Sequence, residues 1–565
     1  STVYESNSET FVMVYKDSSG SSYGTAVAGT WSDGTITWGT PVVFESSAID
    51  DQPHIAAGSN RVHVTYRDSS GNGGIRSASI SGTTLSFATE TVWGQGANYG
   101  TQTAKSSDAT GDIDAPALCY DTNSDRFVSV FADDGNSGYG TAVVFALGSD
   151  GSITTGTSVV FESANVDPGS FSNRWVAFDS STNRVVAAYR DGGDSNNGKA
   201  IVGSVTAGTN SISFGTAATF HSGSTQFPTI VEDPNTDRML ITFVDAGDSD
   251  KGKAIVGVVT GGTDNSIAFG AEAQYSAGSS YSNATAYDPD TNKILIAYDC
   301  RDSSSDGVAK VATITGGTDN TVSFGSEAEF QGNDNATEIA VAYDESVNKF
   351  LVAYRDHSNS NYVTGIVGTI SGTSVSFGSK VALNGGWTRG ISAVYDPSQE
   401  HTVVAGKNLT DDRGDLNFVT ISGTTPSESS LTFDTTHIGG SSEDDIVTTA
   451  YDPDNQRVVV NYANANEDWR AVVINPSDGN TPLGYHTVYD TSNDYVIVAF
   501  SDASTNTYVR AISYNTGTGT YTAVGAKTQL HTSNMVSYRA DMLYDPDANR
   551  SVIAYMDGSN SDYMT

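Results

Sequence analysis

Two cysteines, Cys119 and Cys300, in a chain of 565 residues exclude a disulfide framework and any cysteine-based metal centre. Two buried free thiols are the expected state. Cations are scarce too: Lys+Arg 28 against Asp+Glu 66 leave a formal net charge of -38. Nucleic acid and anionic membrane surfaces reward basic patches, so neither is an expected partner. The acidity itself serves hydration and solubility. No run of 18 apolar residues occurs, so no membrane insertion is expected. No signal-peptide pattern stands at the start, and Ser1 in place of Met is what a processed or trimmed end would show. The 8 histidines form no metal-ligand spacing. A serine-nucleophile elbow and a phosphate loop are both missing, and so is helical periodicity.

What is present is repetition. The stretch Ala286-Tyr287-Asp288-Pro289-Asp290-Thr291-Asn292-Lys293-Ile294-Leu295-Ile296-Ala297-Tyr298 returns as Ala342-Tyr343-Asp344-Glu345-Ser346-Val347-Asn348-Lys349-Phe350-Leu351-Val352-Ala353-Tyr354. Looser copies start at Tyr120, Phe178, Glu232, Tyr395, Tyr451, Tyr489 and Tyr544, mostly about 52 to 58 residues apart. Tyr 28 and Phe 21, with abundant Val and Ile, supply strand-forming and core-forming residues throughout, which argues against disorder.

One unit reads as four strands. Ala284–Tyr287 is extended, and Asp288–Asn292 is a turn in which Pro presets φ, Asp caps and Asn takes the left-handed position. Lys293–Tyr298, Val308–Ile314 and Val322–Phe330 follow as strands. The fold class this predicts is all-β: four-stranded antiparallel blades repeated about ten times as a β-propeller, with two rings favoured over one large ring. Residues 1–565 read as one continuous repeat array. The period breaks near 94–115 and 451–484, and both breaks are candidate ring crossovers.

The loops between blades differ from unit to unit, so a specific activity should sit there. They carry Phe171, Trp175, Phe227, Tyr281, and Trp387 with Arg389; Tyr538 and Arg539 occupy a similar place. Aromatic faces beside Asp and Asn suit sugar rings, though inter-blade packing explains loop aromatics as well. The loop with Asp245, Asp248 and Asp250 spaces its oxygens as a calcium loop does, yet the same composition makes an ordinary hairpin loop. Calcium is therefore a possible cofactor and no other is indicated. The cation after each turn (Arg126, Arg184, Arg238, Lys293, Lys349, Arg457, Arg550) is expected to pair across strands with the Asp before the turn. No catalytic residue is assigned, because most carboxylates recur as scaffold while a glycosidase needs a pair set apart. Ser32-Asp33-Gly34-Thr35-Ile36-Thr37-Trp38 is a single copy similar to the Asp-box turn of sialidase blades.

The repeated phrase Tyr287–Lys293, the strand ending Ala353–Asp356, Ile366–Gly372 and Ser376–Gly378 resembles repeats of structural or fibre-type proteins of marine bacteriophages. The resemblance covers nearly the whole chain. It implies an extracellular, non-enzymatic virion structural or appendage protein (tail, fibre or capsid-attached) that binds a host surface glycan or other receptor and other virion proteins. A secreted or surface bacterial adhesin and a propeller-type glycan hydrolase stand as the alternatives.

Overall fold

The computed structural model describes the chain from Ser1 to Met564 except for short segments, of which 105–112, 168–173, 435–446 and 476–483 are the longest. The described residues are all-β: antiparallel sheets interrupted by four 3-10 turns. The chain divides into two compact units, Tyr99–Asn475 and the pair Ser1–Asn98 with Pro476–Thr565. Both boundaries fall inside the stretches where the repeat period breaks.

In Tyr99–Asn475 the described residues form seven blades, and the inner strands pack in cyclic order. These inner strands are Ile113–Asp121, Val176–Asp179, Thr225–Asp233, Asn283–Asp288, Ala336–Asp344, the second half of Val381–Asp396, and Val447–Asp452. Val447–Asp452 then packs against Ile113–Asp121, which closes the ring. Trp469–Asn475 of the seventh blade takes its outer partner from the start of the unit, where Thr103 pairs with Ala471 and Ala104 with Arg470. The short unit thus recovers its fourth strand from a segment more than 360 residues earlier, and the two ends of the ring are locked by backbone hydrogen bonds. This unit is a seven-bladed β-propeller.

The other unit carries four sheets. Their inner strands lie side by side in the order Thr2–Glu5, His54–Gly58, Gly484–Asp490 and Met535–Asp545. Its seam includes His63 stacked on Tyr489, with ring centroids 5.3 Å apart, and a 2.6 Å hydrogen bond between the Thr65 and Thr487 hydroxyls.

Second strands form the centre of each blade, covered on both faces, and read as unbroken apolar runs for that reason. Val186, Ile241, Ile294, Ile296, Leu351 and Val352 are all buried, as expected. Each contributes roughly 1.5–3 kcal/mol by leaving water. Cys119 and Cys300 are buried free thiols.

The turns fold as their residues dictate. Asp288 accepts hydrogen bonds from the Asp290 N–H at 2.9 Å and the Thr291 hydroxyl at 2.6 Å, and Asn292 sits at φ 54°. Among the described residues Arg126, Arg184 and Arg238 form no ion pair with the Asp of their own turn, contrary to expectation. Arg126, Arg184 and Arg238 reach into the next blade, where Nε donates to Asn210, Asn265 and Asn320 at 2.6, 2.6 and 2.7 Å. The Asp is already committed to capping its own turn, whereas the neighbouring turn presents free carbonyls: Arg238 Nη2 also donates to Gly317 O at 3.0 Å. The same turn explains the glycine after Ala268-Phe269, which stands where other units read Ser-Phe-Gly. A Cβ on Gly270 would lie 2.0 Å from the Asn320 carbonyl oxygen, so only glycine lets the next blade approach.

Candidate functional site

The axial channel of the propeller unit is a cavity of about 430 Å³ lined by all seven inner strands. The residue before each turn Asp faces it: Tyr120, Phe178, Glu232, Tyr287, Tyr343, Tyr395 and Tyr451. Six of these seven are aromatic and one is a carboxylate. Tyrosine hydroxyls reach back to the preceding blade: Tyr343 donates to Asp290 at 2.9 Å, and Tyr120 donates to Asp454 at 3.0 Å across the ring closure. Glu232 makes the same backward contact as an acceptor, from the Ser180 N–H at 2.7 Å and the Ser180 hydroxyl at 2.6 Å. Burial pushes its carboxyl above the ordinary glutamate value, and the Ser180 bonds offset only part of that.

Arg174 enters the same channel from the loop before Val176–Asp179 and donates to the Ala393 carbonyl of the sixth blade. Among the described residues it has no carboxylate partner. Burial lowers its pKa to about 10, so it remains a cation at neutral pH.

The residues singled out by sequence lie in or just before the starts of the inner strands, and the structure treats them differently. Phe171 lies outside the described residues. Trp175 is wholly buried, and its indole N–H donates to the Ala115 carbonyl of the previous blade at 2.9 Å. Burial of this kind places it in the seam between blades, out of a ligand's reach. Phe227 is half-buried at φ 48°, and its carbonyl accepts from Asn283 of the next blade at 2.9 Å. Ala115, Phe227, Glu338 and Gly390 all have positive φ at a register shift of an inner strand. Such bulges cost backbone strain and free a peptide group. At Ala115 and Phe227 the freed carbonyl is taken by the next blade, so the strain serves the seam.

Tyr281 is half-buried. Its hydroxyl donates to Asp250 at 3.1 Å and the Arg301 guanidinium covers its ring at 4.2 Å. Trp387 is the exception: 44 % exposed, with open space beside Gly385. Nearby, Arg389 and Arg355 share the buried Glu338, at 4.0 and 2.6 Å, which leaves the cluster one positive charge in surplus. Trp387 is therefore exposed, Arg389 two residues on is half-buried against Glu338, and Trp175, Phe227 and Tyr281 are dispersed along the seams.

At the acidic loop, Lys253 lies 2.5 Å from Asp245 and 3.5 Å from Asp248. Burial alone would raise the Asp245 carboxyl, but Lys253, His221 and the Gly247 N–H together hold it below its ordinary value. Asp250 is turned to Tyr281 instead. Among the described residues no group of three or more acidic, His or Cys side chains could hold a metal ion. The preceding blade repeats the arrangement with Lys199 2.5 Å from Asp191. In both blades a lysine ammonium is the charged partner of the loop's first Asp.

The sequence column at Glu232 carried a signal for the channel that loop reasoning missed: one acid in a column of aromatics. Arg174 carried none, since nothing repeats it.

No family model matches the chain, and no curated protein matches it in sequence. Among solved structures it is similar to the periplasmic gluconolactonase PpgL of Pseudomonas aeruginosa, at 13% identity and TM-score 0.44, covering 68% of this chain and 97% of that one. It is also similar to the Cps50 (Swd1) β-propeller domain of Myceliophteria thermophila, at 11% identity and TM-score 0.41, covering 67% and 99%. Sqt1 of Saccharomyces cerevisiae follows at 11% identity and TM-score 0.40, covering 68% and 100%. Likeness at this level carries no functional argument. No helix among the described residues is long and apolar enough to cross a membrane.

Proposed function

We propose that this chain is a non-enzymatic attachment propeller that binds a surface glycan through the loops before its inner strands. The observation that supports this most is Trp387, the one exposed aromatic of the segments leading into the inner strands among the described residues, with Arg389 two residues on and two arginines sharing the single carboxylate of Glu338. An indole face stacks on the C–H face of a sugar while a guanidinium takes its hydroxyls or an acidic substituent. The carrier that the repeat resemblance favours is a virion tail, fibre or capsid-attached appendage; a bacterial surface adhesin would present the same edge.

The alternative, a glycan hydrolase, calls for two carboxylates set apart by environment. Glu232 has the raised pKa of an acid, but its neighbours at the equivalent ring positions are aromatic. The full chain applied to a glycan array and to a polysaccharide panel separates the two readings. Saturable glycan binding without release of reducing ends supports attachment. Steady release that is lost in Glu232→Gln would assign the hydrolase and overturn it.

A further inference from the structure

The axial channel holds a half-buried cation that the attachment edge does not use. Arg174 offers five N–H donors, and its contact among the described residues is the single Ala393 carbonyl. It has no carboxylate partner there, although the chain as a whole carries 66 acidic residues. A half-buried guanidinium with most of its donors unused is partly stripped of water, and a bound anion restores what it has lost. The cavity of about 430 Å³ around it has room for a small molecule.

We propose that the channel is a second ligand site for a small hydroxylated carboxylate of the sugar-acid class, with its carboxylate on Arg174. A planar guanidinium matches a carboxylate by two parallel hydrogen bonds. A single cation in a strongly acidic protein favours a monoanion over a dianion. The tyrosine hydroxyls are engaged with the preceding turns at Asp290 and Asp454, so ring edges and faces of Tyr343 and Tyr120 remain to meet C–H groups. Glu232 then accepts from a ligand hydroxyl at the far end. A carboxylate at one end and hydroxyls at the other fit that order of groups. This site is independent of the Trp387 edge, and its test leaves that edge untouched.

The probe is sodium glucuronate, added to the full chain and followed by calorimetric titration and thermal melting; glucose, acetate and sulfate are the comparison arms. The expected result is saturable binding of glucuronate with a rise in melting temperature, weaker binding of acetate and none of glucose. Arg174→Met is expected to weaken it at least about tenfold, the loss of one charge-assisted pair. Arg174→Lys keeps the charge without the planar fork and is expected to weaken it about fivefold, which serves as the reading if the methionine variant does not fold. Trp387→Ala is expected to bind glucuronate as the unaltered chain does. Equal binding by the folded Arg174 variants, equal binding of glucose, tighter binding of sulfate, or no saturable binding of glucuronate up to about 10 mM would each overturn the proposal.

Discussion

Arg238 on the third blade donates its Nε–H to the Asn320 side chain of the fourth at 2.7 Å, and Asn320 holds the left-handed turn at φ 44° that makes the contact possible. One residue fixes the turn and receives the clamp. Arg126 with Asn210 and Arg184 with Asn265 repeat the pair, so these three seams are each tied by a cation from one side and a turn from the other.

Arg238→Met is expected to lower stability by about 1–2 kcal/mol, because it removes the Asn320 bond together with bonds to the Thr236, Asp237 and Gly317 carbonyls, all partly open to solvent. Asn320→Gly, which keeps the positive φ and leaves the three carbonyl bonds of Arg238, should cost less. Because Arg238→Met already removes the bond that Asn320→Gly removes, the double variant should cost little more than Arg238→Met alone. Denaturant melts of the three variants check this, and additive losses would show that the two side chains act separately.

Glu232 should make stability depend on pH. Its folded-state pKa is raised by burial, so its favourable contribution is complete below the ordinary glutamate value and is lost as pH rises through the folded value. Glu232→Gln escapes that loss. The variant should melt higher than the unaltered chain at pH 7, and the gap should close near about pH 4. Melting curves across that range check the sign, and a gap that widens toward acid would contradict it.

At the acidic loop, Lys253 already neutralises Asp245 and Asp248. Chelation with EDTA is expected to leave the melting temperature unchanged, while Lys253→Gln should lower it by leaving Asp245 unpaired where it is nearly buried. A fall in melting temperature with EDTA that calcium restores would place calcium in the loop, by mass action on the native state.

The blades were legible because their signals are local. Asp288, Asn292 and the apolar run Ile294–Ile296 fix a turn and a doubly covered strand within nine residues. The ring closure was not legible, because the strand that completes the seventh blade is Thr103–Ala104. Two residues have no periodicity, and their partners Arg470 and Ala471 lie far along the chain. Trp175 misled for a different reason: its novelty among the units suits a ligand contact and a seam contact equally, and only the Ala115 carbonyl decides. The cations after the turns pointed to their own Asp because the sequence shows the near partner and hides the next blade. Arg174 became visible only once seven inner strands surrounded it.

Binding by Trp387→Ala tests the attachment reading most directly. Unaltered chain, Trp387→Ala and Trp31→Ala are compared on the same glycan array and in the same thermal melt; Trp31 is an exposed tryptophan at 58 % on the other unit. The account predicts that Trp387→Ala loses binding at least about tenfold, as a stacking anchor should, with a melting temperature within a degree or so of the unaltered chain. Trp31→Ala should bind normally. Full binding by Trp387→Ala, or loss of binding in Trp31→Ala alone, would contradict it.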